Sequence, residues 1–177
     1  MGVDKSQLQI QGETLGCRLA RQLGAVTERV TVIGQAPIQG YEFVKDAEAY
    51  RGPLVALSQF KPMAQCVFVA SCDIVLFDSR IVRVLQDQLE RHPSVMAVVP
   101  WLSHKLQPLC AIYRNNAFGF ISTVHAEGRD SMMAWLDSLW IERFEEDEIR
   151  NSHMDPECFL GADTPEAFQR LQGKIAD

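Results

Sequence analysis

A chain of 177 residues with 47% hydrophobic and 23% charged side chains can bury a core without disulfide or metal staples, and its composition excludes a disordered protein. The formal net charge of -6 argues against a broad nucleic-acid interface, which needs a basic face to neutralise phosphates. No apolar run approaches the roughly 20 residues of a membrane span, so the chain reads as one cytoplasmic domain over residues 1–177 with small-molecule partners, no nucleic acid and no membrane.

In chain order, residues 13–26 (ETLGCRLARQLGAV) carry Leu15, Leu19 and Leu23 at successive fours and predict a helix. Residues 29–34 (RVTVIG) and 41–46 (YEFVKD) have strand length and composition. Pro53 marks a helix start just after Gly52, whose freedom of backbone suits a close approach to a ligand. Residues 66–71 (CVFVAS) are apolar at nearly every position, as a strand covered on both faces requires, and predict the central parallel strand. A helix follows over residues 79–92, with Val82, Leu85 and Leu89 on one stripe and Asp78 or Ser79 as its cap. Strands are expected at 94–100 (SVMAVVP) and 109–114 (LCAIYR), and a last helix at 163–174, with Asp163 or Thr164 as cap, Pro165 at its first position and Gly173 past its end. This alternation implies an α/β sheet wound on both faces.

Five cysteines (Cys17, Cys66, Cys72, Cys110 and Cys158) form no C-x-x-C pair and read as thiols of a reducing compartment, Cys66 and Cys110 lying in apolar runs. The four histidines show no zinc-ligand spacing. Asp73 emerges where the buried strand ends, at the carboxyl edge where wound sheets collect ligands. A carboxylate there suits Mg2+ and phosphate oxygens, and serves equally as a cap for the next helix. The segment SHKLQPL, residues 103–109, offers His104, Lys105 and Gln107 either to an anionic substrate or to solvent. The acidic run FEEDE, residues 144–148, reads as a solvated face; Trp135 and Trp140 read as core, and Trp101 as a ring that a flat ligand can stack on.

Taken in register, these segments resemble the MobA-type nucleotidyltransferases, the molybdenum cofactor guanylyltransferases. MGVDKSQLQIQGETL is similar to that family's RMG-x-DK-x-L-x-x-x-G-x-x-L, and VKDAEAYRGPLVAL to its D…GPL-x-G loop. FVASCDIVLF resembles its CD-x-P strand end, HKLQPLCAIYR its QPL-x-A-x-Y segment, and FLGADTPEAFQRL its F-x-N-x-NTPEDL terminus. The resemblance implies a Rossmann-like three-layer sandwich with a mainly parallel sheet, and transfer of GMP from GTP to a phosphate of molybdopterin with release of pyrophosphate. GPLVAL favours the guanine branch over the cytidylyl branch.

The resemblance also implies roles. Lys5 would contact the triphosphate and act with Asp73 in catalysis; Asp46, Gly52, Pro53 and Leu54 would form the nucleoside pocket; Asp73 and Asp163 would hold Mg2+; Gln107 and Pro108 would face the acceptor. The family's first strand and its L-A-G-G-x-S-x-R loop have no match ahead of Met1. A gap is therefore expected in the sheet, as an exposed groove or a seat for a partner chain or second copy. Val75 stands where the family has proline, Gly161 where it has asparagine, and Ala56 where it has glycine. Two alternatives stay open: a non-catalytic nucleotide-binding scaffold acting through a partner, and a transferase with another phosphate acceptor, for which Lys105, Arg129 and Arg143 are possible contacts.

Overall fold

The computed structural model describes residues 8–46, 51–162 and 164–176. A short hairpin, β1 (Gln9–Ile10) and β2 (Glu13–Thr14), turns through Gln11 and Gly12, both at positive φ. Thr14 then caps α1 (Leu15–Gly24), its Oγ1 accepting from the Cys17 N–H at 3.3 Å. Strands β3 (Thr31–Gly34) and β4 (Glu42–Lys45) pair in parallel and lead to the short helix α2 (Pro53–Leu57). β5 (Cys66–Ala70) and α3 (Arg80–Arg91) follow, then β6 (Ala97–Leu102), β7 (Lys105–Leu106) and β8 (Cys110–Arg114). A 3-10 turn at Asn115–Phe118 starts α4 (Gly119–Ala126), which is succeeded by α5 (Met132–Asp137), β9 (Ile141–Glu145) and α6 (Glu146–Asn151). The chain closes through a 3-10 turn at Pro156–Phe159 and α7 (Pro165–Ala176).

β5, β8, β6 and β7 lie in that order, with β9 also on β6. β8 runs antiparallel to both β5 and β6, so β5 and β6 point the same way, and β9 is parallel to β6. Alternation along the strands sorts the core onto two faces. Cys66, Phe68, Val98, Leu102, Cys110 and Ile112 share an apolar cluster with Leu19 of α1, Leu85 of α3 and Ile149 of α6. Val67, Val69, Ala97, Val99, Ala111 and Tyr113 join Leu54 of α2, Val124 of α4 and Trp135 of α5 on the other. Helices thus cover both faces of a Rossmann-like α/β sheet. Tyr113 stacks on Trp135 with ring centroids 4.5 Å apart. Their polar tips are satisfied inside the core: Trp135 Nε1 donates to the Ala117 carbonyl at 3.0 Å, and the Tyr113 hydroxyl to the Pro108 carbonyl at 2.8 Å.

Among the described residues no ladder joins the β3–β4 pair to the five-stranded sheet. β5 is therefore the end strand of the five-stranded piece and not its centre. Of its residues only Val69 is buried, whereas β6 and β8 are buried almost throughout. Cys66 is accordingly half-buried and Cys110 buried. Burial raises both thiol pKa values, that of Cys110 strongly.

Three local expectations change. Trp135 is core, but Trp140 is 74% exposed at the start of β9. α7 runs through Gly173, and Thr164 caps it by accepting from the Ala167 N–H at 3.1 Å. The run FEEDE is only partly solvated: Phe144 is buried, and Glu145 with Glu148 builds the capping box of α6, the Glu145 N–H donating to Glu148 Oε2 at 2.9 Å. No helix among the described residues is long and apolar enough to cross a membrane.

Candidate active site at the sheet rim

β5 ends at Ala70, and its chain continues as the rim of the sheet. The Ser71 N–H donates to the Leu109 carbonyl at 2.8 Å, which sets the segment before Asp73 against residues 107–109. That turn is itself closed by two bonds, Gln107 N–H to the Pro100 carbonyl at 2.9 Å and Cys110 N–H to the Gln107 carbonyl at 3.1 Å. The Tyr113 hydroxyl on the Pro108 carbonyl anchors the same turn to the core. On its other side, the Asp73 carbonyl accepts from the Ala162 N–H at 2.9 Å, and Ile74 bridges Gly161. A β-carbon at Gly161 would lie 2.8 Å from Asp73 Oδ1 and 3.0 Å from its Cγ, so the carboxylate rests on the face of that glycine. Asp73 and the 161–162 segment are thus brought together, and the turn that holds Gln107 and Pro108 is bonded to the chain two residues before Asp73.

The second group of candidate residues lies at the loop before α2. The Asp46 N–H donates to the Gly34 carbonyl at 2.8 Å and the Asp46 carbonyl accepts from Gln35 Nε2 at 2.9 Å, which hold Asp46 at the end of β4. Gly52 adopts φ 101°, a conformation that other residues rarely adopt, and a β-carbon there would stand 4.0 Å from the Asp130 carbonyl oxygen. Arg51 donates to Asp130 Oδ2 at 2.9 Å, and His125 Nδ1 lies 2.5 Å from Asp130 Oδ1. The His125 contact, aided by the Arg51 charge, holds the Asp130 carboxyl below the usual carboxylate range.

Chain direction places this clasp. Arg114, the last residue of β8, pairs with Cys66 at the start of β5, so α4 runs back toward the rim where Asp73 emerges. α5 then descends, because β9 starts level with Ala97, the first residue of β6. The α4–α5 turn with Asp130, and with it the Gly52 loop, therefore occupies the same edge of the sheet as Asp73. Leu54 contributes backbone only, its side chain being 1% exposed in the core. Lys5 and Asp163 lie outside the described residues.

The remaining polar groups divide. The Arg143 guanidinium lies 4.6 Å from the Trp101 ring centroid, joining the middle of β9 to the end of β6. Arg129 is paired with Glu127, and Lys105 is exposed on β7. Sequence reasoning passed over Asp130 and His125, since the segment VHAEGRD carries no spacing that marks a site; only the folded turn brings them to Arg51. Among the described residues no three His, Cys, Asp or Glu side chains gather as a metal cluster. A rim carboxylate suits a hard cation that keeps most of its waters and shares phosphate oxygens, such as Mg2+.

A wound sheet covered by helices, with its polar loops gathered at the carboxyl edge of β5, defines an α/β protein of the ligand-binding Rossmann-like class. Residues 1–143 match the model of the MobA-like NTP transferase domain, and the chain belongs to that family. It is a nucleotidyltransferase. A molybdenum cofactor guanylyltransferase from Syntrophotalea carbinolica is 25% identical over 176 residues, covering 96% of this chain and 83% of the relative. Molybdopterin-guanine dinucleotide biosynthesis protein A from Archaeoglobus fulgidus superposes with a TM-score of 0.72 at 16% identity, over 99% of this chain and 92% of that one. Rv0371c from Mycobacterium tuberculosis, in a complex with manganese, superposes with a TM-score of 0.58 at 19% identity, over 97% of this chain and 93% of its own.

Proposed function

We propose that the chain transfers GMP from GTP to a phosphate of molybdopterin, working as one nucleotidyltransferase domain over residues 1–177 in the cytoplasm. The observation that supports this reading is the seat of Asp73 against residues 161–162, with the turn at 107–109 bonded to Ser71 just before it. The names borne by its relatives supply the substrates.

In this reading the guanosine sits against the backbone of Gly52, Pro53 and Leu54 with Asp46 beside it, and Lys5 neutralises the triphosphate. Asp73, with Asp163, holds a divalent cation, for which the manganese of a protein of the same fold is a precedent. When bound, that cation offsets charge on the phosphates. Gln107 and Pro108 position the acceptor, whose phosphate oxygen attacks the α-phosphorus of GTP in line as pyrophosphate leaves. The protein forms no covalent bond; its part is alignment and charge.

The test is to incubate the chain with GTP, Mg2+ and molybdopterin and to measure pyrophosphate together with the guanine dinucleotide. Both products in equal amounts are expected; neither, in the presence of measurable GTP binding, would support a non-catalytic scaffold instead. That second reading draws on Gly161, which offers no side-chain oxygen beside Asp73. Pyrophosphate formed only with another phosphorylated acceptor would keep the transfer and change the substrate.

A further inference from the structure

Arg51 and Gly52 are the last two residues before α2, and burial does not fix them. α2 is five residues long, too short to impose a conformation on the chain that enters it. Leu54 and Leu57 anchor it from within, in one apolar cluster with Val124 of α4 and Trp135 of α5. That burial begins at Leu54, whereas Arg51, Gly52 and Pro53 are exposed.

A hold on them comes from the α4–α5 turn. Arg51 donates to Asp130 Oδ2 at 2.9 Å, and the Asp130 carbonyl oxygen stands 4.0 Å from where a Gly52 β-carbon would lie, so the two backbones pass close. Asp130 is itself firmly mounted. Before it, the Gly128 N–H donates to the His125 carbonyl at 2.9 Å and the Arg129 N–H to the Val124 carbonyl at 3.1 Å, which close the end of α4. After it, Ser131 caps α5, its Oγ accepting from the Ala134 N–H at 3.1 Å, and the Trp135 indole ties α5 to the core. With His125 Nδ1 on Oδ1 and Arg51 on Oδ2, the carboxylate is engaged on both oxygens, by α4 and by the loop, which fixes its orientation. The Arg51 and Asp130 side chains are 50% and 25% exposed, so their bond adds little to global stability. It acts instead on a segment of low local stability, whose conformation a small energy decides.

We propose that Asp130 is a positioning residue for the nucleoside: by gripping Arg51 it keeps the Gly52 loop, with Gly52 at φ 101°, in the conformation that receives guanosine. Asp130 acts through Arg51 and not on the substrate. A loop held in its binding form spares the ligand the cost of ordering it. The inference rests on the reading in which the backbone of Gly52, Pro53 and Leu54 forms the nucleoside pocket.

The test combines calorimetry of GTP with Mg2+ and residue-resolved amide hydrogen exchange on the full chain. Asp130→Asn keeps the size of the side chain and removes its charge; it is expected to weaken GTP binding about fivefold, the scale of one partly exposed ion pair. Arg51→Met, which leaves the α4–α5 turn untouched, is expected to cost the same, and the double variant no more than either, because the two residues act as one bond. In the free chain the Ala56 amide, which donates to the Gly52 carbonyl, is expected to exchange about fivefold faster in Asp130→Asn, while the Val98 amide in the core keeps its rate. Unaltered GTP affinity in Asp130→Asn, additive losses in the double variant, or equal acceleration at Ala56 and Val98 would overturn this proposal alone. A native chain that binds no GTP would overturn the transfer reading and this inference with it.

Discussion

The contact between Gly161 and Asp73 shows how one missing side chain sets the geometry of a candidate site. With no β-carbon at 161, the Asp73 carboxylate occupies the space that a side chain would take. Gly161→Ala brings a carbon to 2.8 Å from Oδ1 and forces the carboxylate off its seat. Because the displaced atoms are the end of a rotatable side chain, the expected loss of stability is small, below about 1 kcal/mol. The expected loss of Mg2+-dependent GTP binding is at least tenfold. Calorimetry beside urea unfolding separates the two, and an unaltered affinity would show that the position of the carboxylate is immaterial. The place of Asp73, just past the end of β5, was legible from the sequence because it closes an apolar run. The Asp130 clasp was not legible: its partners come from segments 79 residues apart, Arg51 and Asp130, and from a turn without periodicity.

Among the elements, α3 illustrates what periodicity delivers. Leu85 and Ile81 are fully buried and Leu89 nearly so, while Arg83 pairs with Asp87 in solvent, as the helical stripe predicts. Leu85→Ala is expected to cost about 2–5 kcal/mol in urea unfolding, and Arg83→Ala under about 0.5; similar values would contradict this packing. α7 carries a pH dependence. Lys174, and then Arg170, hold the Glu157 carboxyl below its ordinary value of 4.5. A depressed carboxylate stabilises the fold above pH 4.5 and loses that contribution as the pH falls through and below that value. The pair is largely exposed, so the gain stays within about 1 kcal/mol. The difference in urea midpoint between the native chain and Glu157→Gln should be largest near pH 7 and shrink as the pH falls below 4.5; a gap that stays constant as the pH is lowered would exclude this pairing as its source. Short elements escaped the sequence. β9 offers only Ile141 and Phe144 as inward residues among Glu142, Arg143 and Glu145, too few to reveal a period, and Trp140 beside it was read as core although it faces solvent.

At the scale of the whole molecule, the α/β class was readable because strand and helix periods alternate. The position of β5 was not: an apolar strand states that both its faces are covered, but not whether both its edges are paired. The ends of β4 and β5, the turn at 107–109 and the α4–α5 turn all meet at one edge, and the nucleotide-transfer account depends on that meeting. It is tested most directly by titrating GTP into the chain with and without Mg2+, alongside Asp73→Asn. The account predicts micromolar binding, about -8 kcal/mol, that weakens at least tenfold when either Mg2+ or the Asp73 carboxylate is removed. Binding of equal strength in Asp73→Asn, or no binding of GTP under any of these conditions, would contradict it.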